Sequence, residues 1–488
     1  MLRPGSQMNL EEYSRYDALR LAGLVKRGEV SAKELARTML SGVEKVNSRI
    51  NAVIETYSDR VEALDDNVEP KGPFAGVPFL MKDLGATEAG KRQERGCRLF
   101  KGWVAEKDSY LTIRFKQAGL TLLGRTTTPE LGLALTTESV LTGQTCNPWN
   151  PKMLAGGSSG GAAACVATGI LPVAHASDGG GSIRLPASAC GLVGLKPSRG
   201  RVTQGSDFGE RLAGMAQEFI ISRTVRDTAV MLDAVSQPAP GDPFVIIQPE
   251  RPYAQEVNAP AGRLRIAWTT RSWQPGTVVH PEVARCIERV AAECSAMGHE
   301  VSEGSPTFDY EEYLRAQCVA WAFGADVGLD SVAAAMGREI NDDTLEPVTL
   351  SYYRFARHLS VRDMIMAEEV FNRLRRNFGG FFQRYNVLLT PTLAQPPEPL
   401  GKYSTTRSDL DFVSFFRLSD ETGMYTPLPN VTGQPAISLP LGQSDSGLPI
   451  GAHFIARFGD EATLIRIAAA FEEAMPWADR IPPIHVSR

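Results

Sequence analysis

The sequence has no strong excess of charge of either sign and no long apolar run. Its 488 residues include 51 Lys and Arg and 56 Asp and Glu, a formal net charge of -5, which provides no basic surface for nucleic acid or an anionic membrane. A membrane-spanning helix needs about 20 apolar residues, whereas the most apolar stretch, residues 162–174, contains Gly169 and Pro172. We expect no nucleic-acid or membrane partner, and we interpret residues 162–174 as a buried helix leading into a strand.

The first residues lack the pattern of a secretory signal. Residues 1–28 alternate charged and apolar side chains, whereas a signal peptide needs an uninterrupted apolar segment. We therefore expect a cytoplasmic protein.

Cysteine and histidine are also scarce. The seven cysteines are odd in number and include no Cys-x-x-Cys pair, which favours reduced, packed thiols over a disulfide framework or a zinc site. Only six histidines are present, so a serine nucleophile has few candidates for a histidine base.

Helix and strand patterns alternate along the whole chain, which predicts one compact α/β/α domain over residues 1–488. Ser31 and Glu34 have capping-box spacing before a helical apolar pattern. The segment 305–385 has a helical pattern, and the Gly-, Ser- and Thr-rich segment 136–161 is typical of a long ordered loop. Other predicted strands and helices lie at 76–84, 108–118, 120–125, 193–196, 264–268, 281–297, 300–302, 387–389, 436–439, 450–455 and 461–475.

Two glycine-serine clusters are the most unusual feature of the sequence. Residues 156–161 read Gly-Gly-Ser-Ser-Gly-Gly, and residues 178–184 read Asp-Gly-Gly-Gly-Ser-Ile-Arg. A flexible linker does not explain them, because the residues between them are apolar and helix-forming. Neither cluster completes a Rossmann or Walker phosphate loop, since Arg184 stands where a third glycine is needed and no lysine follows Gly161.

A nucleophile elbow is a sharper alternative, because residues 157–161 satisfy Gly-x-Ser-x-Gly with Ser159 at the centre. An α/β-hydrolase-type esterase would then need a downstream histidine, and His453 and His485 lie late enough in the sequence. His453 lies in a predicted strand and His485 in the tail, so structural roles suit both better than catalysis.

Lys82 offers a different base for a serine nucleophile, because it is embedded in the predicted apolar strand at 76–84. A lysine has an ordinary pKa of about 10.4, but burial can lower that pKa by several units and leave a neutral amine. Asp83 need not oppose this shift, since successive strand residues face opposite sides. The glycines before Ser182 let backbone N–H groups converge on an oxyanion.

These residues together resemble the amidase signature family. The resemblance rests on Lys82 in Gly-Val-Pro-Phe-Leu-Met-Lys-Asp, on both glycine-serine clusters, and on Gly-Leu-Lys-Pro at 194–197. Supporting blocks lie at 124–126, 129–130, 147–149, 390–392 and 432–436. The resemblance covers residues 31–471, and one departure is Ser177, where the family often has threonine.

The resemblance implies a twisted, mixed central β-sheet flanked by helices, with N-terminal wrapping helices in 1–65, a catalytic core in 66–235 and a substrate-specific cap in 305–430. It implies hydrolysis without a metal or organic cofactor. The implied roles are Ser182 as nucleophile, Ser158 as relay through a cis Gly157–Ser158 peptide, Lys82 as base, N–H groups of Gly179, Gly180, Gly181 and Ser182 as oxyanion hole, and Ser159, Asp178 and Arg184 as supporting residues.

Within the family, residues 72–84, 172–175 and 251–255 are most similar to 6-aminohexanoate cyclic-dimer hydrolases. This similarity implies a small linear or cyclic amide as substrate, with an aryl-acylamidase, a carbamate hydrolase (urethanase) or an amidotransferase subunit as alternatives. Cys318, in the expected cap, is a candidate for the acyl pocket, although a packed thiol is the stronger interpretation. We expect a monomer or a homodimer.

Overall fold

The described strands form an eight-stranded mixed sheet, a three-stranded sheet and two short antiparallel pairs. The computed structural model describes residues 8–65, 71–206 and 208–488. Its α-helices are α1 (Leu10–Arg15), α2 (Ala18–Lys26), α3 (Ala32–Ile50), α4 (Ser58–Ala63), α5 (Tyr110–Gln117), α6 (Gly160–Ala167), α7 (Arg184–Cys190), α8 (Val225–Val235), α9 (Tyr253–Glu256), α10 (Pro281–Ala296), α11 (Tyr310–Ala322), α12 (Ala325–Met336), α13 (Pro347–Ala356), α14 (Val361–Arg384), α15 (Phe412–Gly423), α16 (Pro427–Thr432) and α17 (Glu461–Ala474). Its strands are β1 (Val53–Thr56), β2 (Pro78–Lys82), β3 (Thr121–Thr126), β4 (Glu138–Ser139), β5 (Gly143–Gln144), β6 (Cys146–Asn147), β7 (Asn150–Leu154), β8 (Val173–Asp178), β9 (Val193–Lys196), β10 (Gln217–Ser222), β11 (Arg265–Trp268), β12 (Glu300–Glu303), β13 (Val387–Pro391), β14 (Ala436–Gln443) and β15 (Pro449–Ala456).

The large sheet has eight strands in the order β12-β11-β13-β15-β14-β9-β10-β8. Its β11 pairs in parallel with β12 and β13, while the remaining pairs are antiparallel. The small sheet has the order β1-β3-β2, and its β2 lies beside β8 at the edge of the large sheet. The mixed central sheet with flanking helices confirms the predicted fold class.

Most predicted elements are present, because their apolar periodicity reflects real burial. Ser31 caps α3 by accepting a hydrogen bond from the Glu34 N–H at 3.1 Å, whereas the Glu34 carboxylate accepts from the N–H of Met8 instead. The segment 136–161 is more ordered than predicted, since β4 pairs with β5 and β6 pairs with β7. Two short antiparallel pairs thus replace the expected continuous loop.

The proposed division of the chain stays a prediction. The boundary between residues 65 and 66 lies at the edge of a segment outside the described residues. The expected cap region contains α11 to α15, in agreement with the helical pattern of 305–385. All seven cysteines are free thiols, and six of them are buried, as their spacing predicts.

One helical stretch in the described ranges, Tyr310–Met336, has the length and apolar character of a membrane span, with a mean hydropathy of 1.3. It is divided into α11 and α12 at Gly324, which has a φ of 78°. Tyr313 and Leu314 of α11 are each 1% exposed within the hydrophobic core. The stretch is therefore weak support for a membrane span.

The glycines of the first cluster allow backbone segments to approach closely. A Cβ atom on Gly157 would lie 2.4 Å from the carbonyl oxygen of Thr136. A Cβ on Gly161 would lie 2.3 Å from Thr127 Oγ1 and 2.5 Å from its backbone nitrogen. Because packed backbone cannot move aside cheaply, Gly161 fixes the start of α6 against Thr127, directly after β3, and Gly157 fixes the loop before α6 against residues 134–136.

Two helical glycines should therefore respond oppositely to alanine. Gly161→Ala, at the start of α6, is expected to lower the free energy of unfolding by about 1–3 kcal/mol because of the clash with Thr127. Gly380→Ala, on the exposed side of α14 with no atom within 4 Å of the new Cβ, should raise it by about 0.5–1 kcal/mol. Urea unfolding measures both changes, and equal effects would contradict the packing argument.

Candidate active site

The amine of Lys82 lies among three serine hydroxyls. Lys82 is the last residue of β2, a strand buried along its whole length. Its Nζ lies 2.7 Å from Ser158 Oγ, 2.9 Å from Ser159 Oγ and 2.9 Å from Ser177 Oγ. The predicted base and relay are thus in direct contact.

Burial lowers the pKa of Lys82 to about 7, although the negative charges of Glu218 and Asp178 oppose that shift. Lys82 is 1% exposed, and no salt bridge to it occurs in the described ranges. The adjacent Asp83 turns away, as strand alternation predicts, and accepts a hydrogen bond from Arg125 Nη1 at 2.5 Å. Near neutral pH the amine is therefore available as a base.

Strand β8 positions Lys82 through two residues on one face. His175 Nδ1 accepts a hydrogen bond from the Lys82 N–H at 3.2 Å, and the Ser177 hydroxyl lies next to Nζ. Glu218 accepts from the other ring nitrogen of His175 at 3.0 Å, because Nδ1 is already an acceptor. Sequence reasoning assigned no role to His175, Ser177 or Glu218, although polar residues two apart in an apolar strand are the signal for a shared polar face.

Ser182 borders a cavity, and Ser158 lies next to Gly132, one of the residues that line it. The Gly157–Ser158 peptide is cis, as the family resemblance implies. Ser182 is 8% exposed and lines the cavity together with Gly132 and Gly180, and a Cβ on Gly132 would lie 3.2 Å from Ser158 Oγ. Across the described part of the chain, no hydrogen bond joins the Ser158 and Ser182 hydroxyls.

The glycine loop before Ser182 presents three free donors. Within residues 71–206 and 208–488, the structure shows no acceptor for the N–H groups of Gly179, Gly180 and Ser182. The Gly181 N–H is predicted to be an oxyanion-hole donor, but in the structure it donates a hydrogen bond to Asp178 Oδ1 at 2.7 Å. Gly181 is instead required sterically, since its φ is 132° and a Cβ there would lie 2.2 Å from Thr426 Oγ1.

Asp178 and Arg184 brace this loop from below. Arg184 donates from Nε and Nη2 to the two oxygens of Asp178, at 2.9 and 2.8 Å. Asn430 Nδ2 donates to Asp178 Oδ1 and to its carbonyl oxygen, each at 2.9 Å. Burial alone would raise the pKa of Asp178, but the Arg184 charge holds it well below its usual range. Asn430 thus joins the supporting pair, although no motif in the sequence indicates this role.

The contacts of His453 argue against the nucleophile-elbow alternative. His453 Nε2 lies 3.0 Å from Arg184 Nη1, and Nδ1 lies 3.1 Å from Thr390 Oγ1. Burial and the Arg184 charge hold the pKa of His453 well below its usual range. The Ser159 hydroxyl donates to the Ser177 carbonyl oxygen at 3.1 Å, so Ser159 and His453 do not form a nucleophile-base pair.

Helices of the expected cap provide one wall of the cavity. Cys318 is 1% exposed and is not among the lining residues, whereas its neighbour Gln317 is. In the described ranges, no cluster of three His, Cys, Asp or Glu residues has the geometry of a metal site. The cavity is lined by Gly132, Leu133, Ala134, Leu135, Gly180, Ser182, Leu185, Gln317, Trp321, Phe416, Ser419, Asp420, Gly423 and Pro427.

Loss of Arg184 should be far more damaging than loss of an exposed arginine. Arg184→Leu leaves the buried Asp178 carboxylate without its cation, which is expected to cost about 3–5 kcal/mol of unfolding free energy. Arg15→Leu removes a pair whose side chains are 71% and 61% exposed and should leave the urea midpoint unchanged. Similar midpoints for the two variants would contradict the bracing role.

Comparison with known proteins identifies the family of this chain. The family described as Amidase matches residues 34–465. The 6-aminohexanoate-cyclic-dimer hydrolase of Paenarthrobacter ureafaciens is 35% identical over 481 residues, covering 96% of each chain, and an acylamidase of Rhodococcus erythropolis is 33% identical, covering 95% of this chain and 96% of its own. A solved structure of 6-aminohexanoate cyclic dimer hydrolase complexed with substrate superposes with a TM-score of 0.90 and 34% identity, covering 96% of this chain and 99% of that chain. The chain therefore belongs to the amidase signature family of amide hydrolases.

Proposed function

We propose that this enzyme cleaves a small-molecule amide through an acyl-enzyme on Ser182, with Ser158 as relay and Lys82 as base. The observation that carries the proposal is the buried Lys82 amine, 2.7 Å from Ser158 Oγ and with a pKa lowered by burial to about 7. A base that works at neutral pH needs a pKa near that value.

The first half of the reaction forms the acyl-enzyme. Neutral Lys82 accepts the Ser158 proton while Ser158 accepts the proton of Ser182, and Ser182 Oγ attacks the amide carbonyl carbon. The separate hydroxyls of Ser158 and Ser182 come together when substrate fills the cavity, since catalytic hydrogen bonds often tighten only in the complex. The proton on Lys82 then passes back through Ser158 to the leaving nitrogen, the C–N bond breaks, and an amine departs.

The second half repeats this path with water. Lys82, neutral again, draws a proton from water through Ser158, and the resulting hydroxide attacks the ester carbonyl. The tetrahedral intermediate collapses, the proton returns to Ser182, and a carboxylic acid leaves. No metal or organic cofactor takes part in either half.

The glycine loop stabilises both tetrahedral intermediates. The free N–H groups of Gly179, Gly180 and Ser182 are the donors that we assign to the oxyanion hole. Each such donor typically contributes about 3–4 kcal/mol of transition-state stabilisation. The ion pair between Asp178 and Arg184 holds the loop rigid, so little reorganisation is needed during the reaction.

The substrate class follows from the cavity and from the relatives. A small linear or cyclic amide fits a cavity with aliphatic walls at Leu133, Leu135 and Leu185, and one relative is named for a cyclic amide dimer. Aryl amides and carbamates offer the same carbonyl to Ser182 and form the alternative substrate classes. In this scheme Ser159 supports Lys82 through the contact between Ser159 Oγ and Lys82 Nζ, and Cys318 is a packed thiol.

Substitution of Ser182 tests the proposal. Ser182→Ala should lower kcat by at least about 10⁴-fold because the nucleophile is lost, and Lys82→Met should have a comparable effect. The substrates are an aliphatic amide, an anilide, a cyclic amide and an aryl carbamate, followed by mass spectrometry of the released amine. Ser41→Ala, an exposed serine on α3, is the control and should retain full activity.

The alternative nucleophile is tested by the same assay. Full activity in Ser182→Ala together with an inactive Ser159→Ala would overturn the assignment in favour of the elbow serine. Inactivity of the folded wild-type enzyme on every substrate would contradict small-amide hydrolysis itself.

A further inference from the structure

The cavity above Ser182 has a polar end that the proposed reaction does not use. Two helices form it, and each contributes residues one turn apart on one face. Gln317 and Trp321 belong to α11, while Phe416 and Asp420 belong to α15. The rings of Trp321 and Phe416 pack edge to face with their centroids 5.3 Å apart. This contact joins α11 to α15.

Asp420 is a buried acid without a cation. It is 5% exposed, and its Oδ2 accepts a hydrogen bond from the Tyr310 hydroxyl at 3.0 Å. The neighbouring Arg417 does not pair with Asp420, because both of its terminal nitrogens donate to Glu311 at 2.6 Å. Burial raises the pKa of Asp420 to about 7. In the described part of the chain, Asp420 Oδ1 has no hydrogen-bond donor.

Gln317 and Trp321 also have unsatisfied polar atoms. Gln317 is 3% exposed and Trp321 is 8% exposed, yet Gln317 Oε1 and Trp321 Nε1 have no hydrogen-bond partner in the described ranges. A buried polar atom without a partner typically costs about 1–3 kcal/mol. The Trp321 ring also covers the oxyanion loop, since a Cβ on Gly180 would lie 3.6 Å from its Cζ2.

These polar atoms select for a particular kind of ligand. Two acceptors, the free oxygen of Asp420 and Gln317 Oε1, favour an N–H donor and disfavour a carboxylate or a phosphate. A purely hydrocarbon chain would leave both acceptors desolvated and unpaired. Between this end and Ser182 the wall is apolar, with Leu133, Leu135 and Leu185, which suits a methylene spacer.

We propose that Asp420 and Gln317 bind a second nitrogen group of the substrate, separated from the scissile amide by an aliphatic chain. This inference rests on the proposed function and specifies its substrate class. An ammonium group would pair with both acceptors. A second amide would donate a hydrogen bond from its N–H to one of these acceptors, and its carbonyl oxygen would accept a hydrogen bond from Trp321 Nε1.

Three p-nitroanilides of equal chain length test the proposal. Their acyl chains end in an ammonium group, in an acetamide or in a methyl group, and kcat/KM is measured for each. At a pH above the Asp420 pKa of about 7, the wild-type enzyme should prefer an N–H-bearing chain over the methyl-terminated one by about tenfold or more, as expected for a hydrogen bond to a charged acceptor. Preference for the ammonium chain identifies an amine substrate, and preference for the acetamide identifies a diamide.

Substitutions of Asp420 and Gln317 test whether these two acceptors cause the preference for an N–H-bearing chain. Asp420→Asn and Gln317→Met should lose most of this preference, mainly through a higher KM for the two N–H-bearing substrates. Glu421→Gln, the adjacent carboxylate on α15 with 45% of its side chain exposed, is the matched control and should retain the preference.

The failures of the two proposals are distinguishable. Equal kcat/KM values for all three substrates in the wild-type enzyme would overturn the nitrogen site and leave amide hydrolysis standing. An equal loss on all three substrates in both variants would assign Asp420 and Gln317 a structural role and also overturn it. If the wild-type enzyme cleaves none of the three, the proposed function fails, and this inference fails with it.

Discussion

The active site depends on keeping one amine out of water. Lys82 lies at the end of a buried strand, and in the described part of the chain its Nζ contacts three hydroxyl oxygens and no carboxylate. Burial favours the neutral amine, whereas a direct carboxylate partner would favour the ammonium ion. The alternation of β2 therefore matters, because it sends Asp83 to Arg125 and leaves Lys82 facing the serines. Glu218, the buried acid with the largest opposing effect on the amine, pairs with His175 and Arg211 instead.

Close backbone approach is the second constraint, and glycine meets it in both clusters. The clashes that a Cβ would cause at Gly157 and Gly161 show that the relay serine is held by tightly packed backbone. At Gly181 the same requirement coincides with a φ of 132°, which side chains other than hydrogen rarely tolerate. Among the described residues, this loop leaves three N–H groups without an acceptor, which suits the proposed stabilisation of an oxyanion.

Local patterns predicted most of the elements and the residues close to the two clusters. Lys82 could be selected because a charged residue in an apolar strand is unusual, and Ser158 and Ser182 because glycines surround them. The polar residues that come from distant segments could not be selected, since only tertiary packing brings Gln317 and Asp420 to the cavity and Asn430 to Asp178. The sequence around Gly181 does not reveal that its backbone N–H donates a hydrogen bond to the Asp178 carboxylate.

The most direct test of this account is the titration of Lys82 itself. Enzyme carrying ¹³Cε-labelled lysine is followed by NMR across the pH range, and the Lys82 signal is assigned by its absence in Lys82→Met. The account predicts a Lys82 midpoint at about pH 7, well below the ordinary lysine pKa of about 10.4. A Lys82 signal that stays in its charged form to above about pH 9, close to the ordinary lysine pKa, would contradict the role of Lys82 as the base.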